Sequence, residues 1–302
     1  MFASCLSPSG QRTHRGHAII RALSLALLVG VLAGCSTVGL VYNRADELTY
    51  WWLDRYFDWD DPQSTQLRRG LEALHRWHRQ QELPRYAAKL DDWAEQAGTT
   101  LDAGPICRAA QQAREAWVGL LMHTEPDVLA LLATLKPGQL ERMRQRMERN
   151  RRDWQSEWLD TDVEARLERR VKLWRERLEH FYGPLQPAQQ RVLRERLAAS
   201  VWDARRTDAL VGKRQYDQWQ TLQRLLGQPR QASTDSAALR ALLQRSMDAP
   251  DANDRAYQAR LLQEGCALVA TLHTGANAEQ RAHLARTLRD YAALARQLAT
   301  QP

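Results

Sequence analysis

From Val41 onward, apolar side chains recur at helical spacing. Val41, Ala45, Leu48, Trp52 and Tyr56 are separated by four and three residues, which predicts one helix with a single inward face. Leu67, Leu71, Leu74 and His78 make the next stripe, opened by Asp61-Pro62 as an N-cap aspartate with proline at the first helical position. Pro84 interrupts that pattern, and Leu90, Ala94 and Ala97 carry the face on to a turn near Gly98. Gly104-Pro105 starts a helix reaching about His123, and Pro126-Asp127 begins a short one ending near Leu135. Leu167, Val171, Leu178 and Tyr182 form a stripe that Gly183-Pro184 stops. Pro187 to Leu226 then holds a helical pattern without a break signal, Gln228 to Ser236 reads as a loop, and Pro250 to Asn253 as a turn. Ala256 to His273 and Ala278 to Ala299 supply two closing helices.

Composition sharpens this. Beyond Cys35 the chain holds a single isoleucine, Ile106, few valines, and abundant Ala, Leu, Arg, Gln and Glu. Such a chain favours helix, because β-branched residues suit sheets. The expected fold is all-α, an elongated stack of antiparallel helical hairpins, since long helices joined by short Gly/Pro turns pair with their neighbours.

A repeat runs through the helix starts. Leu135-Lys136-Pro137-Gly138-Gln139 is followed by Met143 and Met147, and Leu185-Gln186-Pro187-Ala188-Gln189 by Leu193 and Leu197. A weaker copy runs from Trp59 to Gln63 with Leu67 and Leu71, and Gln280 with Leu284 and Leu288 gives a fourth that lacks the leading leucine. The pattern resembles the L-T-x-x-Q repeat of small periplasmic helical chaperones and stress adaptors.

The N-terminal stretch has another character. Arg12, Arg15 and Arg21 precede an apolar run from Ala22 to Ala33, too short to span a bilayer, which takes about 20 apolar residues, and suited to the core of a secretory signal. Leu32-Ala33-Gly34-Cys35 resembles a bacterial lipobox, which implies cleavage before Cys35 and diacylglycerol on its sulfur, with palmitate as in other lipoproteins. The expected organisation is therefore a signal peptide over residues 1–34, a lipidated cysteine and tether over 35–40, and a helical domain over 41–302. Ser36 beside the cysteine, by the same resemblance, implies sorting to the outer membrane, facing the periplasm. Aromatics so near an anchor suit the headgroup zone, yet the interleaved Asp46, Glu47, Asp54, Asp58, Asp60 and Asp61 would repel anionic lipids, so core packing is the expectation there.

Charge and cysteines follow from that division. The first 34 residues carry three of the 43 basic side chains and none of the 36 acidic ones, leaving a net charge of +4 on the remainder. This is a mild bias, without the basic stripe of a nucleic-acid binder. Cys5 departs with the signal and Cys35 takes the lipid, so Cys107 and Cys266 remain, and an oxidising compartment favours their pairing.

The chain is also similar to uncharacterised proteobacterial lipoproteins. The shared residues are Cys35-Ser36-Thr37-Val38, Tyr42-Asn43-x-Ala45-Asp46, Tyr50-Trp51-Trp52-Leu53-Asp54, Trp77-His78-Arg79 and Glu82-Leu83-Pro84-x-Tyr86. That likeness implies a lipid-anchored helical protein and carries no catalytic residues with it.

Candidate chemistry is sparse. Glu72 and His75 have the Glu-x-x-His spacing of di-iron helices but lack a second unit, and His75, His78 and Glu82 are within helical reach of one another for zinc, though a helix edge with His78 packed beside Trp77 is the simpler reading. Asp58, Asp60 and Asp61 crowd one loop and read as helix caps. No phosphate loop, nucleophile elbow or His-Glu-x-x-His helix occurs, so no metal, cofactor or catalytic residue is assigned. Arg142, Arg144, Arg146, Arg149, Arg151 and Arg152 form the densest basic run, with Trp154 and Trp158 one turn apart beside it. At these spacings the arginines fan around a helix, so a solvated surface is the default reading; the alternative is a surface of Arg142, Arg146, Arg149, Trp154 and Trp158 that would suit acidic partners such as lipopolysaccharide phosphates or an envelope protein. The expected function is an interaction or chaperone-like role in envelope maintenance, by binding rather than catalysis. The alternative is a hydrolase of an envelope polymer such as peptidoglycan, which requires a cleft with two converging acids.

Overall fold

Most helix starts are set locally. Asp60, Asp162, Asp203, Asp251 and Asn277 each accept a hydrogen bond from the backbone N–H three residues on, satisfying a donor the helix leaves open. Pro62, Pro137 and Pro187 sit in first turns, where a missing N–H costs nothing. The computed structural model describes residues 38–228 and 231–301, which fall into a unit ending at Arg44 and another running from Ala45. The signal run, the Leu32–Cys35 motif and Ser36 lie outside the described residues.

In the first unit, residues 38–43 are helical. The second is all-α, with no strand among the described residues. Its helices are α1 (Ala45–Phe57), α2 (Asp61–Trp77), α3 (Leu83–Gln96), α4 (Ala103–His123), α5 (Glu125–Leu132) and α6 (Pro137–Trp158). They continue as α7 (Val163–Tyr182), α8 (Pro187–Ala198), α9 (Ala204–Gly227), α10 (Ala232–Met247), α11 (Ala252–Thr274) and α12 (Ala278–Ala299). A π-helical turn, His78–Glu82, joins α2 to α3. It stands just before Pro84, and its i→i+5 pattern, seen in Leu83 N–H donating to His78 O, carries the chain past a proline that would break a regular helix.

Neighbouring helices pair as hairpins, α1 with α2, α7 with α8 and α9 with α10, and these are tied by remote pairings. The most extensive is α3 along α12, with Asp91 and Arg296 ion-paired; α4 lies along α11 and α6 along α9. The main core gathers Ala94 of α3 and Ala97 that caps it, Leu178 and Tyr182 of α7, Leu193 and Leu197 of α8, Leu268 and Leu272 of α11, and Leu284 and Leu288 of α12. His273 is fully buried beneath it. Its Nε2 donates to Thr99 O at 2.7 Å, because a carbonyl only accepts, and its Nδ1 shares a hydrogen bond of 2.9 Å with the Tyr182 hydroxyl. Gly183, at φ 73°, ends α7 in a backbone region that a side chain would strain.

Four local expectations change. The N-cap of α2 is Asp60, one residue before the expected Asp61. The stretch from Pro187 to Leu226 breaks at Ser200–Asp203, because Glu264 accepts from Ser200 Oγ and Val201 N–H while Asp203 opens a new helix. Much of the expected loop from Gln228 to Ser236 is the start of α10. The face of α1 predicted to point inward points outward: Leu48 and Trp52 are exposed, and Tyr50 is the buried residue, its hydroxyl donating to Ser64 Oγ at 3.0 Å.

The four repeat glutamines explain the architecture. Gln63, Gln139, Gln189 and Gln280 are all buried at the third position of a helix, and each Oε1 accepts the N-cap backbone N–H of its own turn. They then pair. Gln63 and Gln139 exchange amide hydrogen bonds of 3.1 and 2.6 Å, and Gln189 and Gln280 exchange bonds of 3.0 and 2.9 Å. The second Nε2 proton of each reaches a carbonyl in the partner's turn: Gln63 to Thr134, Gln139 to Asp58, Gln189 to Gly275 and Gln280 to Pro184. Each amide thus fills two acceptor and two donor positions. Each clasp fastens two interhelical turns, α1–α2 to α5–α6 and α7–α8 to α11–α12.

A covalent tie adds to this. Cys107 of α4 and Cys266 of α11 are disulfide-bonded, with Cα atoms 5.4 Å apart and a separation of 159 positions in sequence.

Two outcomes are expected in urea denaturation. Gln189→Leu should destabilise the fold by about 2 kcal/mol, by stranding the buried amide of Gln280, and adding Gln280→Leu should cost less than the sum of the single changes. Replacing Cys107 and Cys266 together by alanine should lower stability by up to about 5 kcal/mol, the chain-entropy limit for so long a loop.

Candidate Trp–Arg binding site

Where α7, α8 and α11 diverge from the core, a cavity of about 580 Å³ opens beside the end of α6, within the range of small-ligand sites. Its sides follow helical periods. Arg170, Trp174 and Arg177 come from one face of α7, and Arg260, Glu264 and Leu268 from one face of α11. Arg196 and Leu197 close α8, Trp202 hangs from the loop that follows, and Trp154 and Trp158 form the rim on α6. Gly265 of α11 faces the Trp174 ring, and a Cβ there would lie 3.7 Å from it, at ordinary contact distance.

The aromatic wall is continuous. Trp154 and Trp158 stack at 6.0 Å, and Trp202 meets Trp158 edge-on at 5.4 Å. All four indoles are half-buried. Arg170 lies over the Trp202 ring at 4.6 Å and donates to Leu197 O at 2.9 Å, adding to the Ser200 N–H that reaches the same carbonyl at the end of α8. Burial pulls its guanidinium below the ordinary arginine value, against the opposing pull of Tyr257 and Glu264. Arg260 stands 3.6 Å from Glu264. Arg177 and Arg196 are exposed and have no acid within ion-pair distance among the described residues.

The cavity is therefore rich in donors. Four arginines and four indole N–H groups line it against one carboxylate, Glu264, already committed to Ser200 and Val201. Such a wall stacks against a flat or apolar body, and its cations favour anionic groups. It does not supply the two converging acids of glycoside hydrolysis.

Of the residues expected on the binding surface, Trp154 and Trp158 line the cavity. Arg142, Arg146 and Arg149 do not, because they lie earlier on α6, Arg142 about 18 Å along the axis from Trp154. Arg142 pairs with Asp58, and elsewhere in the run Arg144 pairs with Glu141 and Glu148. Arg151 forms a two-point bond to Asp208 at 2.7 Å, passing over Gly212, where a Cβ would stand 2.5 Å from its guanidinium. That bond holds the Asp208 carboxyl below the usual carboxylate range and locks α6 to α9. The sequence reading missed Trp174, Trp202, Arg170, Arg177 and Arg196. The i, i+4, i+7 spacing of Arg170, Trp174 and Arg177 was the available signal.

His78 and Glu82 line a second, largely apolar cavity of about 630 Å³ between α3 and α4, with Tyr86, Trp93 and Trp117. Burial lowers the His78 pKa and raises that of Tyr86. Trp77 stacks on His123 at 3.8 Å instead of beside His78, whose ring meets Tyr86. His75 faces Asp46 at 3.8 Å, Glu82 pairs with Arg85, and Glu72 is exposed. Among the described residues no three His, Cys, Asp or Glu side chains converge to hold a metal ion, and no helix is long and apolar enough to cross a membrane.

The model of a family of unknown function (DUF6279) matches residues 55–251, the greater part of the chain and the span that holds all four cavity tryptophans. No curated protein and no solved structure matches.

Proposed function

We propose that this chain, which belongs to that family of unknown function, is a lipoprotein held at the periplasmic face of the outer membrane through Cys35, where it acts by binding. In this reading it serves envelope maintenance as an interaction or chaperone-like protein, and the Trp–Arg cavity engages an acidic envelope component. Lipopolysaccharide phosphate and an acidic protein segment are the two sources of that chemistry. The observation that carries the proposal is the pair of uncommitted cations, Arg177 and Arg196, set beside a wall of indoles whose N–H groups find no acceptor in the protein among the described residues. The anchor rests on the Leu32-Ala33-Gly34-Cys35 sequence and the basic, apolar run before it.

Cys35→Ala should release the protein from membranes into the soluble periplasmic fraction; retention through an alkaline wash would overturn the anchor. A photoreactive side chain in place of Trp158, activated in living cells, should join the protein to a phosphate-bearing lipid or to one acidic protein, and Arg177→Glu with Arg196→Glu should abolish the adduct. Unchanged adducts after that charge reversal would remove the arginines from recognition. A smear of many unfolded outer-membrane chains would replace the specific partner by a chaperone role.

A further inference from the structure

We infer that the outward face of α1 is a membrane-contact surface, with Leu48, Trp51 and Trp52 resting in the headgroup zone of the bilayer that carries the anchor. The inference rests on the anchored reading given above. Of the twelve large hydrophobic residues exposed among the described residues, six fall between residues 38 and 52: Val38, Leu40, Val41, Leu48, Trp51 and Trp52. On α1 itself, Leu48, Trp51 and Trp52 stand at i, i+3 and i+4, so they form one stripe, each with about half or more of its surface open. An apolar stripe on the outside of a helix needs a cover, and indole rings are the side chains most at home between water and hydrocarbon.

The folded structure answers the electrostatic objection to that cover. Asp46 turns inward to His75, and Asp54 accepts the Trp59 backbone N–H at 3.1 Å, so neither carboxylate faces outward with the stripe. The outer face keeps Glu47 and Arg55, whose charges cancel, and Arg68 of α2 lies over the Tyr50 ring at 3.5 Å and 5.6 Å from Trp51. The side that meets the lipid is thus neutral and fringed by a cation. Distance also selects the bilayer as occupant: nine residues lie between Cys35 and Ala45, at most about 35 Å of fully extended chain, and residues 38–43 are helical and so shorter still. A helix of this kind lies in the interface without crossing it.

The test uses the acylated full-length protein in vesicles of phosphatidylethanolamine and phosphatidylglycerol. With Cys35 acylated and Cys107 bonded to Cys266, a new thiol is the single labelling site. A nitroxide is placed at Leu48→Cys or Trp52→Cys, and for comparison at Tyr216→Cys, an equally open position on α9. Helical circular dichroism confirms that each variant is folded. The ratio of relaxation by oxygen to relaxation by a polar nickel chelate should be several-fold higher at 48 and 52 than at 216. Equal ratios in protein that sediments with the vesicles would overturn the contact surface and leave the anchor standing. Protein that fails to sediment would overturn the anchor and the surface together.

Discussion

A buried carboxamide must find four hydrogen-bonding partners or carry a penalty of about 1–3 kcal/mol for each one missing, and in this fold that demand is met four times by the same device. Each clasp glutamine spends one acceptor position on its own helix start, exchanges two bonds with another glutamine, and donates its last proton to the partner's turn. The geometry works only if two helix starts meet head on. A hydrophobic contact would tolerate sliding by a fraction of a turn; a reciprocal amide pair does not. The clasp of Gln189 and Gln280 therefore fixes how α7 and α8 sit against α11, and those are the helices whose far portions diverge to form the Trp–Arg cavity. Site and scaffold share one origin.

The arginines divide into two populations by what faces them. Arg142, Arg144 and Arg151 meet carboxylates and act as ties between or along helices. Arg170 meets a helix end and an indole face, while Arg177 and Arg196 line a cavity whose one carboxylate, Glu264, is committed to Ser200 and Val201. Counting arginines along α6 located the dense run and not the site, because the density was matched by Asp58, Glu141, Glu148 and Asp208. What distinguishes a binding cation is the absence of a neighbour distant in sequence.

That contrast sets how far the chain could be read before its structure was known. Helix content and most boundaries were legible, since caps, prolines and 3.6-residue stripes are local. The glutamine repeat was legible as a pattern, though not as two pairs, because nothing in the spacing says which turn meets which. The break at Ser200–Asp203 was hidden because Glu264, which stabilises it, lies more than sixty residues away. The inverted face of α1 was misread for a related reason: periodicity reveals that a helix has an apolar side, and only its packing partners decide whether that side is covered. Trp174 and Trp202 were not singled out, because nothing local to either shows that its ring lines a cavity.

The bond between Cys107 and Cys266 also has a mechanical meaning. On the proposed anchoring through Cys35, the chain is pulled from its N-terminal end whenever the molecule is dragged through its surroundings or seized by a protease at its other terminus. Tension travelling along the backbone reaches Cys107, crosses to Cys266 through the sulfur atoms, and continues to the C-terminus. The 158 residues enclosed between them, which include Trp154, Trp158, Trp174 and Trp202, bear none of that load. The aromatic wall is thereby held inside a force-free loop, and can keep its shape while the outer turns of the molecule are stretched.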